Sequence, residues 1–150
     1  MGTLSDEDRR ERIARVFKKN ARKFSSVPVM SVDEALRRHG EGNIVLVDVR
    51  SPTEQQVSMA EGAITAGEFE RTQAVHTGKT VVTYCTVGFR SGHLADLLRS
   101  QGWDAYNMEG AILGWVEAGG ALVSADGPTK RVHTWSGGFD LLPDGYEAVW

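Results

Sequence analysis

Cysteine is almost missing from this chain: Cys85 is the only one in 150 residues. A single thiol excludes an intramolecular disulfide framework, a Cys-x-x-Cys redox pair and any multi-cysteine metal site. Histidine is sparse as well. His39, His76, His93 and His133 show no metal-ligand spacing with Cys85 or with one another, so neither a metal nor a cofactor is expected. No apolar run approaches membrane-spanning length, and the charged N-terminus does not read as a secretory signal. Charge of one sign is not in excess. The formal net charge is −3, which as a bulk property points to neither nucleic acid nor membrane as a partner. Internal repeats and low-complexity tracts are absent. The length suits one domain with a sizeable core, and a lone free thiol suits a reducing, cytoplasmic setting.

What is present alternates between helical and strand patterns. Residues 4–24 read as a helix, with Ser5 as N-cap, acidic Asp6, Glu7 and Asp8 in the first turn, and basic Lys18 to Lys23 in the last. Ile13, Val16, Phe17, Ala21 and Phe24 share one face at helical spacing. Its basic residues offer either an interaction patch or a solvated face, and the solvated face is the preferred reading. Val27 to Met30 suggests a short edge strand. Ser31-Val-Asp-Glu34 is a capping box for a helix that Gly40 is expected to stop. The apolar run Ile44 to Val49 predicts a strand buried on both faces. Pro52 opens a short helix, Ala63-Ile64 suggests a small strand, and Glu68 to Ala74 is weakly helical. Thr80 to Tyr84 is a second buried strand. Gly92 to Gln101 is helical, with Leu94, Leu97 and Leu98 expected inward and Gly102 as the stop. Trp103 to Met108 predicts a third strand and Ala111 to Ala118 a short helix. The alternation implies an α/β fold, a mostly parallel sheet with helices on both faces. After Gly127 the rhythm changes. Arg131 to Trp135 reads as an added strand, Asp140 to Tyr146 is turn-rich, and the end is aromatic. Three parts are expected: a helical extension at 1–28, the α/β domain at 29–125, and a tail at 126–150 folded onto it.

Chemistry concentrates in Tyr84-Cys85-Thr86-Val87-Gly88-Phe89-Arg90-Ser91, a strand end, a short loop and a helix start. Ligands of open α/β sheets bind at the carboxyl ends of strands, where Cys85 would sit. Inward-pointing loop amides and the helix dipole favour negative charge on sulfur, and the thiolate is the nucleophile. Gly88 permits the positive φ that makes successive N–H groups converge, while Arg90 braces the loop or pairs with an anionic substrate.

Three motifs together resemble the single-domain rhodanese-like sulfurtransferase family, over roughly Met30 to Leu122. Val45-Leu-Val-Asp48-Val-Arg50 followed by Glu54 is similar to the family's Asp-Val-Arg strand end with its downstream glutamate. Cys85-x-x-Gly88-x-Arg90-Ser91 is similar to its active-site loop. Asn107-Met-Glu-Gly110-Ala-Ile-Leu-Gly-Trp115 resembles its Gly-Gly-x-x-x-Trp stretch, read with Glu109 in place of the first glycine. One departure stands out: where the family commonly has Gly-His-Ile-Pro-Gly-Ala, this chain has Ser58-Met-Ala-Glu61-Gly62-Ala63.

The resemblance implies a rhodanese-like fold and sulfur transfer through a Cys85 persulfide. Thr86, Val87, Gly88, Phe89, Arg90, Ser91 and Arg50 are then expected to bind substrate, with Asp48 and Glu54 as structural support. The donor would be a small sulfur compound such as thiosulfate or a persulfide. The acceptor would be cyanide, an external thiol or a protein thiol, since no second cysteine can resolve the persulfide internally. Two alternatives stay open: a phosphatase or arsenate reductase of the same superfamily, and a sulfur carrier or docking module without turnover. Loop length speaks against the first, because Cys85 and Arg90 enclose four residues where a phosphoryl-binding loop encloses five. Trp115 is expected in the core. Trp135, Tyr146 and Trp150 are expected to fill a groove on the domain or to form a partner surface, and the tail and N-terminal helix are candidates for covering the site, for a homodimer contact or for stabilising the domain.

Overall fold

The computed structural model of the chain describes residues 4–150; residues 1–3 of the expected N-terminal extension lie outside them. Helix α1 (Asp6–Ala21) starts where Ser5 accepts the Asp8 N–H, and a 3-10 turn (Arg22–Phe24) continues it. Strand β1 (Val29–Met30) follows, then α2 (Val32–Gly40), β2 (Ile44–Asp48), α3 (Pro52–Val57), β3 (Met59–Ala60), β4 (Ile64–Thr65) and α4 (Ala66–Arg71). Next come β5 (Thr80–Tyr84), α5 (Phe89–Ser100), β6 (Ala105–Met108), α6 (Ala111–Glu117), β7 (Leu122–Ser124), β8 (Gly127–Pro128), β9 (Arg131–His133) and β10 (Glu147–Val149).

Five strands make one parallel sheet in the order β1-β6-β5-β2-β4, so β1 is an edge and β5 the centre. Every residue of β2 and of β5 is buried, as the continuous apolar runs require of strands covered on both faces. Period-two alternation sorts their side chains. Ile44, Leu46, Val82 and Tyr84 enter a core shared with α2 and α6; Val45, Val47 and Val81 enter a second core with Phe69 of α4 and Ala95 and Leu98 of α5. The two terminal segments are part of the same packing. Ile13 of α1 and Val132, Leu141 and Leu142 of the tail belong to the first core, and the tail closes with β10 paired parallel to β9.

Three expectations need correction. Gly40 is the last residue of α2 rather than its stop; the left-handed residue that turns the chain is Gly42, at φ 76°. Leu97 is 52% exposed, because the inward face of α5 is set by Ser91, Ala95 and Leu98 at helical spacing. The same helix begins at Phe89, three residues earlier than expected, since Gly88 at φ 97° serves as its N-cap. Trp115 lies in the core as expected, 1% exposed.

Candidate active site

The central strand β5 delivers Cys85 to its carboxyl end, and α5 starts four residues later. Cys85 is buried, 1% exposed, at the base of a cleft of about 350 Å³. Its Sγ accepts the Gly88 N–H at 3.1 Å and lies 3.3 Å from Ser91 Oγ. The Ser91 hydroxyl in turn donates to Asn107 Oδ1 at 2.7 Å, and Asn107 Nδ2 donates to the Gly88 carbonyl at 3.0 Å. This chain of bonds fixes the Asn107 amide and ties the loop, the first turn of α5 and β6 into one unit. With the Ser91 proton engaged by Asn107, a neutral Cys85 donates its S–H to Ser91 Oγ. A thiolate instead requires that hydroxyl to rotate toward sulfur. Gly88 is indispensable here on two counts: its φ is 97°, and a Cβ would sit 2.6 Å from the ring of Phe17 in α1.

Arg90 lines the cleft with Cys85 and is anchored on Glu54. Its guanidinium makes a bidentate fork on Glu54, Nη1 to Oε1 at 2.6 Å and Nη2 to Oε2 at 2.9 Å, and Nη2 also donates to Thr86 Oγ1. The Thr86 hydroxyl closes the triangle on Glu54 Oε2 at 3.1 Å. Glu54 is itself anchored by the capping box of α3, where Ser51 Oγ donates to Oε1 at 3.0 Å. Burial pushes the Glu54 carboxyl up, but the Arg90 fork and the Ser51 donors outweigh it and hold the carboxyl at about 2. The bonds to Glu54 raise the Arg90 guanidinium further above its ordinary value.

Arg50, expected to bind substrate, is sealed away from the cleft. Its side chain and that of Asp48 are wholly inaccessible, joined by Nη2 to Oδ2 at 2.7 Å. Burial works against the Arg50 charge and the Asp48 carboxylate outweighs it. Tyr84, just before Cys85, donates its hydroxyl to Asp48 and accepts the Ala60 N–H at 3.0 Å; burial, then the Asp48 charge, raises its phenol well above the ordinary value. The physical reason for the correction is that Arg50 lies over the ring of Tyr84, 5.7 Å from its centroid, on the core side of β5. Asp48 and Glu54 are the ion-pair partners of these arginines.

The third motif acts through the backbone. Counted back from Trp115, its glycine pair falls on Gly110 and Ala111 rather than on Glu109 and Gly110, and both residues have positive φ, 75° and 54°. That turn directs the Ile112 N–H onto the Cys85 carbonyl at 3.0 Å. Ala111 is a left-handed non-glycine, a conformation that costs roughly 1–2 kcal/mol.

Local sequence pattern gave no sign of the cleft's other walls. Asn20 and Lys23 come from the end of α1 and its 3-10 turn, and Trp135 and Phe139 from the tail, facing Thr86, Val87, Phe89 and Arg90 of the loop. Asn20 Nδ2 donates to the Val87 carbonyl at 3.0 Å, and Lys23 Nζ sits 4.9 Å over the Phe89 ring. Trp135 and Trp150, expected to fill a groove, are 62% and 65% exposed; Tyr146 and Phe139 are the tail aromatics that pack on the core. Asn107 falls inside the third motif, but its bonds to the loop follow only from β6 lying beside β5. Among the described residues no group of three His, Cys, Asp or Glu side chains could hold a metal ion, and no helix is long and apolar enough to cross a membrane.

A cysteine loop at the carboxyl edge of a parallel sheet, opening a helix and clamped by a buried glutamate, defines a cysteine-loop α/β domain. A family model described as the rhodanese-like domain matches residues 31–118, and the chain belongs to that family. It is 34% identical over 102 residues to a tRNA uridine(34) hydroxylase of Kocuria rhizophila, a match covering 59% of this chain and 33% of that protein, so the chain spans about a third of its length. A thiosulfate sulfurtransferase of Pseudomonas aeruginosa shares the fold at a TM-score of 0.58 and 19% identity, over 75% of this chain and 23% of that one. So does a Rhodopseudomonas palustris protein of unknown function described as a possible tyrosine phosphatase, at a TM-score of 0.56 and 23% identity, over 80% and 95%. At these identities the structural likenesses speak to fold alone.

Proposed function

We propose that the protein is a sulfurtransferase that moves a sulfane sulfur from thiosulfate or a persulfide donor through Cys85. The observation that carries this reading is the loop itself. The Gly88 N–H meets Cys85 Sγ at 3.1 Å, while both arms of the Arg90 fork are engaged by Glu54. Such a loop offers a backbone amide to one sulfur atom. A phosphoryl group would need a wider ring of amides and a guanidinium free to bind it, so the four-residue loop favours sulfur transfer over phosphatase or arsenate chemistry.

The reaction is a double displacement. The Cys85 thiolate attacks the outer sulfur of thiosulfate; a new S–S bond forms as the donor's S–S bond breaks, and sulfite leaves with the electron pair. The persulfide anion takes the place of the thiolate against the Gly88 amide and the N-terminus of α5. Cyanide or an external thiolate then attacks the outer sulfur and regenerates the Cys85 thiolate. With cyanide the product is thiocyanate. With no second cysteine in the chain, the acceptor comes from outside, and the cleft of about 350 Å³ admits small molecules or a single projecting side chain.

Intact-protein mass spectrometry tests this. Incubation with thiosulfate is expected to add one sulfur atom to the chain, cyanide to remove it, and Cys85→Ser to abolish the gain with the fold unchanged by circular dichroism. No adduct from either thiosulfate or a persulfide donor would refute the reading. A stable adduct that small acceptors never discharge would instead mark a carrier.

A further inference from the structure

The modest net charge of the chain conceals a sharp segregation. Between Arg12 and Pro28 there are six cations, Arg12, Arg15, Lys18, Lys19, Arg22 and Lys23, and not one acidic residue. This stretch carries +6, so with a total of −3 the remainder carries −9. All six side chains belong to exposed residues, and none is in an ion pair among the described residues, unlike Arg9 and Arg10, which engage Glu117. An excess of this kind attracts polyanions whatever the chain's total charge.

The stripe leads to the cleft. The opposite face of α1 buries Ile13 and Phe17, and Phe17 packs directly on the Gly88 turn. Helical geometry of about 100° per residue puts Arg12 and Lys19 on the same flank, and Lys23 carries that flank to the cleft wall over Phe89. From Arg12 to Lys23 the run is about 17 Å at roughly 1.5 Å per residue, the length of about five stacked nucleotides at roughly 3.4 Å each.

At the end of the stripe stands Trp135. It is 62% exposed, lines the cleft, and has one ring face toward Phe139 with centroids 6.0 Å apart. Its backbone lies at φ 69°, a left-handed conformation rare for so bulky a residue, held by its N–H donating to His133 Nδ1 at 3.1 Å. A row of cations ending in an exposed aromatic face is how single strands are gripped: phosphates along the charges, a base on the ring.

We propose that α1, its 3-10 turn and Trp135 form a binding surface for a single-stranded nucleic acid, presenting one unstacked base at the mouth of the Cys85 cleft. The proposal departs from the bulk-charge expectation that nucleic acid is not a partner, because net charge averages over this segregation. Only the role of the presented base rests on the sulfur-transfer reading; the binding surface does not.

Fluorescence anisotropy of a labelled twelve-nucleotide oligouridylate, with oligothymidylate in parallel, tests this on the full chain across a salt series. The expected plot of log affinity against log salt has a slope of about −4 for six neutralised phosphates. The exposed quadruple variant Arg12→Gln/Arg15→Gln/Lys19→Gln/Arg22→Gln is expected to lose about 3 of that slope, at about 0.7 per cation, while still loading sulfur on Cys85. Trp135→Ala is expected to weaken binding about 10-fold at unchanged slope. Stronger binding of the ribo-oligomer than the deoxy-oligomer would identify RNA as the natural strand, and equal binding a surface that reads phosphate and base only; either supports the proposal. No binding at low salt, an unchanged slope in the quadruple variant, full binding by Trp135→Ala, or equal competition by oligoglutamate would overturn it. Strand binding by a chain that cannot load sulfur would uphold this surface and remove the sulfur-transfer reading instead.

Discussion

Replacing Glu54 by glutamine isolates the clamp behind the loop. The change keeps the shape and one acceptor oxygen, but it removes the charge and turns an N–H₂ toward either the Arg90 fork or the Thr86 hydroxyl. The Glu54 carboxyl moves from an ordinary 4.5 to about 2 in the fold. That gap of roughly 2.5 units, at about 1.36 kcal/mol per unit, corresponds to about 3.4 kcal/mol. The Arg90 side chain is 36% exposed, so water screens part of the attraction, and about 2–3 kcal/mol is a sounder expectation. For a chain of this length that is about 5–10 °C in Tm. The sign follows from the lowered value. The stabilisation is fully present above about pH 4.5 and is lost as pH falls toward 2, with more than half of it gone by about pH 3 on the same linkage arithmetic. Urea denaturation of wild type and Glu54→Gln from pH 7 down to pH 3 reads this directly: a constant gap down to about pH 5, then convergence. A gap below about 0.5 kcal/mol at pH 7, or one that stays constant to pH 3, would refute the clamp as an energetic unit.

Three further substitutions probe the neighbouring contacts. Gly88→Ala forces a side chain into positive φ and against Phe17; the left-handed conformation alone costs about 1–2 kcal/mol, and loss of sulfur loading by mass spectrometry is expected alongside a lower urea midpoint. Ser91→Ala leaves buried Asn107 Oδ1 without its donor, which is expected to cost about 1–3 kcal/mol and to slow sulfur loading; an unchanged loading rate would remove Ser91 from the chemistry. Tyr84→Phe takes one donor from the buried Asp48 carboxylate and the acceptor from the Ala60 N–H. It is expected to destabilise by about 1.5–3 kcal/mol, the range for hydrogen bonds to charged groups, and thermal melting would show it.

Much of the architecture was legible in local pattern. The apolar runs at Ile44 to Asp48 and Thr80 to Tyr84 announced buried parallel strands because a strand covered on both faces has no polar side to show. Ser5 and Ser31 announced helix starts because a short hydroxyl side chain satisfies an amide that the helix leaves unpaired. Cys85 and its loop were visible because nucleophile, glycine and arginine are contiguous.

Other features were set by residues far apart in the chain. Arg50 and Arg90 look equivalent as charged residues beside strand ends. Only the packing shows that Asp48 and Tyr84 bury the first while Glu54 anchors the second at the cleft. Leu97 fits a helical apolar pattern but faces outward, since the sheet meets α5 along Ala95 and Leu98. Above all, nothing local connects Asn20 and Lys23 to Trp135 and Phe139, which lie more than 100 positions apart and meet over Cys85 in one cleft. The sequence by itself determined the strands, the caps and the nucleophile, because those depend on near neighbours and on period. The tertiary structure decided which charges are spent inside, which remain at the surface, and what stands around the thiol, because these depend on contacts that only the closed fold creates.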